Sequence, residues 1–361
     1  MVNYTILAIA VVFTASTTVA SAQGPVLTAL KQQLGEAIFS DTNLSQPKGQ
    51  ACASCHLPKF GFKGNGDPNA AVIGGVVPGR FGNRKPPSAA YAFGSPVPGY
   101  QLIDGEQTYV GGQFWDGRAA SLEDQAKAPF LNPVEMNNPD KATVVQKVCS
   151  AQYGLLFRLV YSFQACSDSS KINSAYDSIA DAIAAYERSN DVNEFSSRYD
   201  QHLAGKIKLT KKEQLGLELF EGKAGCAGCH PSGPKSPFTD FTYDNIGIPK
   251  NTRHEATKFA PQDLGLGARL GHTEDGRFKV STLRNVGIAP PYGHNGYFRT
   301  LKEIVHFYNT RDVPKEKWPA PEVLANVNRD ELGRLGLTDA EEDAIVEFLQ
   351  ALTDQKGPRY P

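Results

Sequence analysis

Two pentapeptides of the form Cys-x-x-Cys-His, Cys52-Ala53-Ser54-Cys55-His56 and Cys226-Ala227-Gly228-Cys229-His230, carry the most specific chemistry in this chain. Thiols at this spacing can add to the two vinyl groups of a haem as thioethers, and the adjoining imidazole then lies against one face of the iron. Two such motifs imply two haem c groups, bound by Cys52, Cys55, Cys226 and Cys229, with His56 and His230 as iron ligands. A redox dithiol would want a βαβ setting and no following histidine, and zinc would want four ligands near one another. A histidine directly after both motifs favours haem over either.

The remaining cysteines, Cys149 and Cys166, form an even remainder. In an exported chain that predicts one structural disulfide, two buried thiols being the alternative. Export is itself suggested by an apolar run, Thr5 to Phe13, followed by small residues ending Ala20-Ser21-Ala22. The run is too short to span a bilayer. It predicts a signal peptide over residues 1–22, although no Lys or Arg precedes it. Haem attachment to such motifs outside the cytoplasm agrees, so the expectation is a periplasmic protein without a membrane span. With 37 basic and 38 acidic side chains the chain has no charge excess suited to nucleic acid or an anionic membrane.

An internal repeat places the elements that hold the motifs. Leu34-Gly35-Glu36-Ala37-Ile38-Phe39 precedes the first and Leu215-Gly216-Leu217-Glu218-Leu219-Phe220 the second, each with apolar residues at helical spacing. The repeat predicts two haem-binding domains, residues 23–190 and 191–361. Thr210-Lys211-Lys212-Glu213 and Thr338-Asp339-Ala340-Glu341 are capping boxes that open helices, the latter running through Ile345, Phe348, Leu349 and Leu352. A helix over 176–188 would turn Ile179, Ile183 and Tyr186 inward. Strand signals are sparse, and 34 Gly and 24 Pro suit long connections. The predicted fold is mainly α: two tandem cytochrome c-like domains with long loops, the haems facing a shared interface.

Over nearly its whole length the chain resembles the bacterial dihaem cytochrome c peroxidase and MauG superfamily. The resemblance is carried by both haem motifs and by Phe114-Trp115-Asp116-Gly117-Arg118, Leu122-Glu123-Asp124-Gln125-Ala126, Asn132-Pro133-Val134-Glu135-Met136, Thr282-Leu283-Arg284-Asn285-Val286 and Pro291-Tyr292-Gly293-His294-Asn295-Gly296, in that order. Cleaving a peroxide O–O bond at iron requires an open axial position and a placed acid/base. The resemblance implies that role for Glu135, with Gln125 and Pro129 completing the pocket, and places the Trp115 indole between the haems as an electron relay. His294 is implied to lie near the haems without binding iron.

Departures from the family pattern select a branch. Ordinary dihaem peroxidases cap the resting first haem with a histidine, yet no histidine stands between His56 and His202. The first haem is therefore expected to be open to peroxide without prior reduction. The second haem is ordinarily ligated by methionine, but beyond the predicted signal peptide the chain has only Met136, beside Glu135. Tyr308 stands where the distal ligand is expected, and MauG resembles this chain in having tyrosine there; His306 and His294 are the competing ligands. The resemblance also implies a Ca²⁺ held partly by an asparagine. Lys85 occupies that position, so either its ammonium takes the cation's place or Asn83 shifts in.

The implied function is a periplasmic dihaem peroxidase acting on hydrogen peroxide and using high-valent haem iron to oxidise residues of a partner protein, as MauG does. Peroxide detoxification fed by a small cytochrome or cupredoxin is one alternative. A non-catalytic dihaem electron carrier is the other.

Overall fold

The computed structural model describes residues 19–355. The apolar run Thr5–Phe13 lies outside them. The two large hydrophobic clusters are built the same way, each from a helix that leads to a haem motif and a later helix packed across it.

In the first half the helix Val19–Ser40 crosses Ile172–Glu187. Leu34, Ile38 and Phe39 meet Ile179, Ile183 and Tyr186, all at most 3 % exposed. Their spacing of three and four residues puts each set on one face. Gly35 lets the backbones touch: a Cβ there would stand 1.9 Å from the Ala182 carbonyl oxygen and 2.8 Å from Tyr186 Cβ. In the second half Lys211–Glu221 crosses Asp339–Gln350. There a Cβ on Gly216 would stand 2.0 Å from the Ala344 carbonyl oxygen and 2.7 Å from Phe348 Cβ. Both expected capping boxes form. The Thr210 and Thr338 side chains accept from the Glu213 and Glu341 amides, and those glutamates accept from the threonine amides.

The first core draws on residues between Leu34 and Val192, the second on residues between Tyr199 and Leu352. Cys149 and Cys166 are disulfide-bonded, as the cysteine count predicts, tying the Lys141–Ser150 helix to the turn Phe163–Cys166. The helix expected over 176–188 begins earlier, at Ile172, because the 3₁₀ turn Ser169–Lys171 runs directly into it.

The sequence reading passed over one hairpin, Gly99–Ile103 paired with Glu106–Val110. Its turn is Asp104-Gly105, with φ of 49° and 89°. Those angles make the two-residue connection that Asp-Gly favours. A second short pair, Tyr243–Asp244 with Phe278–Lys279, brings Asp244 and Lys279 to one cavity. No helix among the described residues is long and apolar enough to cross a membrane.

Candidate functional site

Each haem motif ends in a histidine whose ring is oriented by a backbone carbonyl. His56 Nδ1 lies 3.2 Å from the Phe62 oxygen and His230 Nδ1 lies 2.8 Å from the Phe238 oxygen. A carbonyl only accepts, so both Nδ1 atoms carry the proton and both Nε2 atoms are left as bases able to bind metal. Phe62 and Phe238 are left-handed, at φ 56° and 54°. Few non-glycine residues adopt that conformation. Burial disfavours the protonated form of both imidazoles, taking His230 down to about 4. Burial also pushes the thiols up, those of Cys55, Cys226 and Cys229 to about 12. A redox dithiol would be shifted the other way.

Near the first motif, Gln125 and Pro129 lie one turn apart on the helix Leu122–Leu131, on the same side. The Pro129 carbonyl accepts from the amides of Asn132 and Met136, pinning the turn that carries Glu135. On the other side Val76 donates to the Glu135 carbonyl at 2.9 Å. A Cβ on Gly75 would stand 2.3 Å from the Val134 oxygen, so this loop approaches as closely as backbones can. Burial raises the Glu135 carboxyl above its ordinary range, opposed by Arg118 and by a hydrogen bond with Asn132. Glu135 is near enough for its charge to bear on both Cys55 and Cys52. Among the described residues Gln125 and Glu135 share no hydrogen bond.

The second motif opens into a cavity, open on one side to solvent, with about 1650 Å³ of empty space when that mouth is counted. Cys226, Cys229, His230 and Tyr308 line it, and so does Trp115 from the first half of the chain. Apolar walls are supplied by Phe220, Ile246, Leu283, Val305 and Leu349. A sulfur pair, an imidazole base, a facing phenol and apolar walls fit a c-type haem held by Cys226, Cys229 and His230. Burial, with Asp244 and the Cys229 and Cys226 thiols nearby, raises the Tyr308 phenol well above its ordinary range, against Arg311.

The competing ligands go elsewhere or sit differently. His306, on the same helix Leu301–Thr310, is 2.9 Å from Glu342 through Nδ1 and 3.4 Å from Glu316 through Nε2. Two residues along a helix turn the side chain about 200°, which puts His306 on the far side from Tyr308. Met136 is 3 % exposed in the first core. His294 does line the cavity, stacked on Phe278 at 3.5 Å and edge-on to Trp115 at 6.4 Å.

Trp115 is fixed from three directions. Its indole N–H donates to the Lys85 carbonyl at 2.7 Å and its carbonyl accepts from the Lys279 amide at 2.9 Å. The next residue, Asp116, pairs with Arg84 at 2.6 Å, and Arg84 reaches Asp263 at 2.7 Å. Lys85, at the position considered for calcium, donates from Nζ to the Ala289 carbonyl at 2.6 Å. Asn83 instead bonds Asp263 at 3.3 Å.

The di-haem cytochrome c peroxidase family matches residues 29–208. The methylamine utilization protein MauG of Paracoccus denitrificans is 37 % identical over 353 residues, covering 90 % of this chain and 88 % of its own. This chain belongs to the di-haem cytochrome c peroxidase and MauG family. Cytochrome-c peroxidase IdrP1 of Denitromonas iodatirespirans is 29 % identical, covering 91 % of this chain and 82 % of its own. The crystal structure of the diheme peroxidase BthA from Burkholderia thailandensis superposes with a TM-score of 0.79 at 32 % identity, covering 92 % of this chain and 86 % of that one. The chain is thus a haem-dependent peroxidase, an oxidoreductase, and membership implies two c-type haems and hydrogen peroxide as reactant. The non-catalytic carrier is set aside.

Sequence reasoning missed four groups here. Phe62 and Phe238 escaped notice because they follow their histidines at different intervals, six and eight residues. Lys63 and Lys279 carried no motif, and only their place in the cavity wall distinguishes them.

Proposed function

We propose that this is a periplasmic MauG-like enzyme that reacts with hydrogen peroxide and oxidises residues, such as tryptophan, of a partner protein. In this reading residues 1–22 are removed on export, residues 23–190 hold the peroxide-reactive haem on Cys52, Cys55 and His56, and residues 191–361 hold the second on Cys226, Cys229 and His230, with Tyr308 as its distal ligand. The haems, when bound covalently at these cysteines, supply peroxide cleavage and hold the oxidising equivalents. Glu135 holds the proton that must pass between the peroxide oxygens, and burial raises its carboxyl in the direction that favours holding it. Gln125 and Pro129 bound the pocket, and Trp115 relays charge between the haems.

The observation that carries the MauG-like branch is Tyr308 facing the second haem cavity while His306 is held by Glu342 and Glu316 and Met136 is packed in the first core. Hydrogen peroxide added in equal amount to the fully oxidised protein should give a long-lived oxidised state, quenched by a protein or tryptophan-like donor. Tyr308→His should keep a low-spin haem and lose that state. A wild type that reacts only after reduction of its second haem would be a detoxifying cytochrome c peroxidase, the reading favoured by relatives such as IdrP1.

A further inference from the structure

Three lysines line the cavity of the second motif. Lys63 and Lys85 are only 5 % and 3 % exposed. Each Nζ has one hydrogen-bond acceptor, a backbone carbonyl: Thr282 for Lys63 at 3.4 Å, Ala289 for Lys85 at 2.6 Å and Gly112 for Lys279 at 2.5 Å. Among the described residues no carboxylate lies within ion-pair distance of any of them. An ammonium has three donors, and a buried cation with no carboxylate in contact is costly, the charge of Asp116 acting on Lys279 only from beyond contact. Neighbouring Arg84, also largely buried, has two carboxylates instead. His294 adds a buried ring Nε2 with no partner in the same cavity.

Position makes the cluster specific. The Lys85 carbonyl accepts from the Trp115 indole N–H and the Lys279 amide donates to the Trp115 carbonyl, so both residues are tied to Trp115 through their backbones. Lys63 is near enough to His230 for its charge to disfavour a protonated imidazole, and near enough to Lys85 for the two to repel. Burial depresses all three amines, Lys63 and Lys279 to about 8.

We propose that Lys63, Lys85 and Lys279 pair with the two propionate carboxylates of the haem bound at Cys226, Cys229 and His230. The proposal rests on the reading that haem is bound there. Pairing keeps the lysines charged and gives their spare N–H donors acceptors. It also makes the lysines control the redox equilibrium of the second haem, since a nearby cation favours the ferrous over the ferric state.

The test uses the haem-loaded enzyme and three single variants, Lys63→Met, Lys85→Met and Lys279→Met. Each should shift the reduction equilibrium of the second haem about tenfold toward ferric, or 59 mV for one electron. The propionate bending bands of that haem in the resonance Raman spectrum should move in the same variants. Two haems by pyridine haemochrome with unmoved potential and bands would overturn the pairing alone, leaving the lysines as ties to backbone carbonyls. A wild type with no haem on the second motif would overturn the pairing together with the reading beneath it. Should Lys85→Met fail to fold, Lys279→Met, whose Nζ has no long-range partner but the Gly112 carbonyl, decides the question.

Discussion

The two halves of this molecule share a frame down to single contacts and differ where that frame faces the cofactor. Gly35 rests on Ala182 and Tyr186, and Gly216 on Ala344 and Phe348. Phe39 meets Tyr186 at 5.4 Å and Phe62 at 6.1 Å, while Phe220 meets Phe348 at 5.3 Å and Phe238 at 6.0 Å. Phe62 and Phe238 then turn their carbonyls to the two motif histidines from the same left-handed conformation. One arrangement therefore presents an imidazole base twice.

The differences lie in what surrounds that base. On the first side stand a half-buried carboxylate, Glu135, and Arg118; on the second, Tyr308 and three lysines. The crossing helices diverge too. The contacts of Gly35 and Gly216 align Ala182 with Ala344 and Tyr186 with Phe348, which aligns the buried Glu187 with Leu349 in the cavity wall. A shared frame with unlike linings is what the proposed division between a reacting and a storing haem requires.

Removing the lining of the first side should have the largest consequence. Glu135→Gln should slow the reaction with peroxide by ~10²–10⁴-fold, the usual loss for an acid/base group. Both haems should remain attached, as pyridine haemochrome would verify. Peroxide reacting equally fast with the variant would make Glu135 structural and erase the proposed contrast with Tyr308.

The frame itself should be equally sensitive on both sides. Gly35→Ala and Gly216→Ala each drive a methyl group into a carbonyl oxygen of the crossing helix, where no side chain can move away. Against the helix propensity gained, overpacking of a backbone contact should leave each variant about 2–3 kcal/mol less stable in denaturant titrations. A loss confined to one variant would show that the duplicated geometry is not equally needed in both halves.

How far this was legible in the sequence follows from what each feature depends on. The motifs, the Leu-Gly repeats and the capping boxes depend on neighbours in the chain, and they are visible as spacing. The disulfide followed from counting. The hairpin was legible in Asp104-Gly105 and was passed over because its first strand, apolar at Leu102 and Ile103 yet exposed, has no buried face to give an alternating pattern. Lys63 and Glu187 were not legible: a charged residue reads as solvated until the tertiary fold buries it. The choice of Tyr308 over His306 at the cavity likewise needed the helix's rotation, which depends on Glu342 and Glu316 holding His306 outside.

Making the two halves more alike at Glu187 should change chiefly the pH dependence of stability. Glu187 is 4 % exposed, and its Oε2 has no hydrogen-bond partner. Burial, with Glu123 adding and Arg188 opposing, raises its carboxyl to about 8. The native state thus retains a proton that the unfolded chain releases at the ordinary glutamate value, near ~4.3. Between those values the unfolded state binds fewer protons, so stability contributed by this group falls as pH rises, by at most ~1.4 kcal/mol per pH unit. The contribution is complete below the unfolded value and gone above about 8. Glu187→Leu, which copies Leu349, should remove that slope while leaving the haem content unchanged. Denaturation midpoints of the haem-loaded protein measured from pH 5 to 8 would check it. An equal slope in both proteins would mean that Glu187 is ionised in the native state, paired with a cation on the first haem's side.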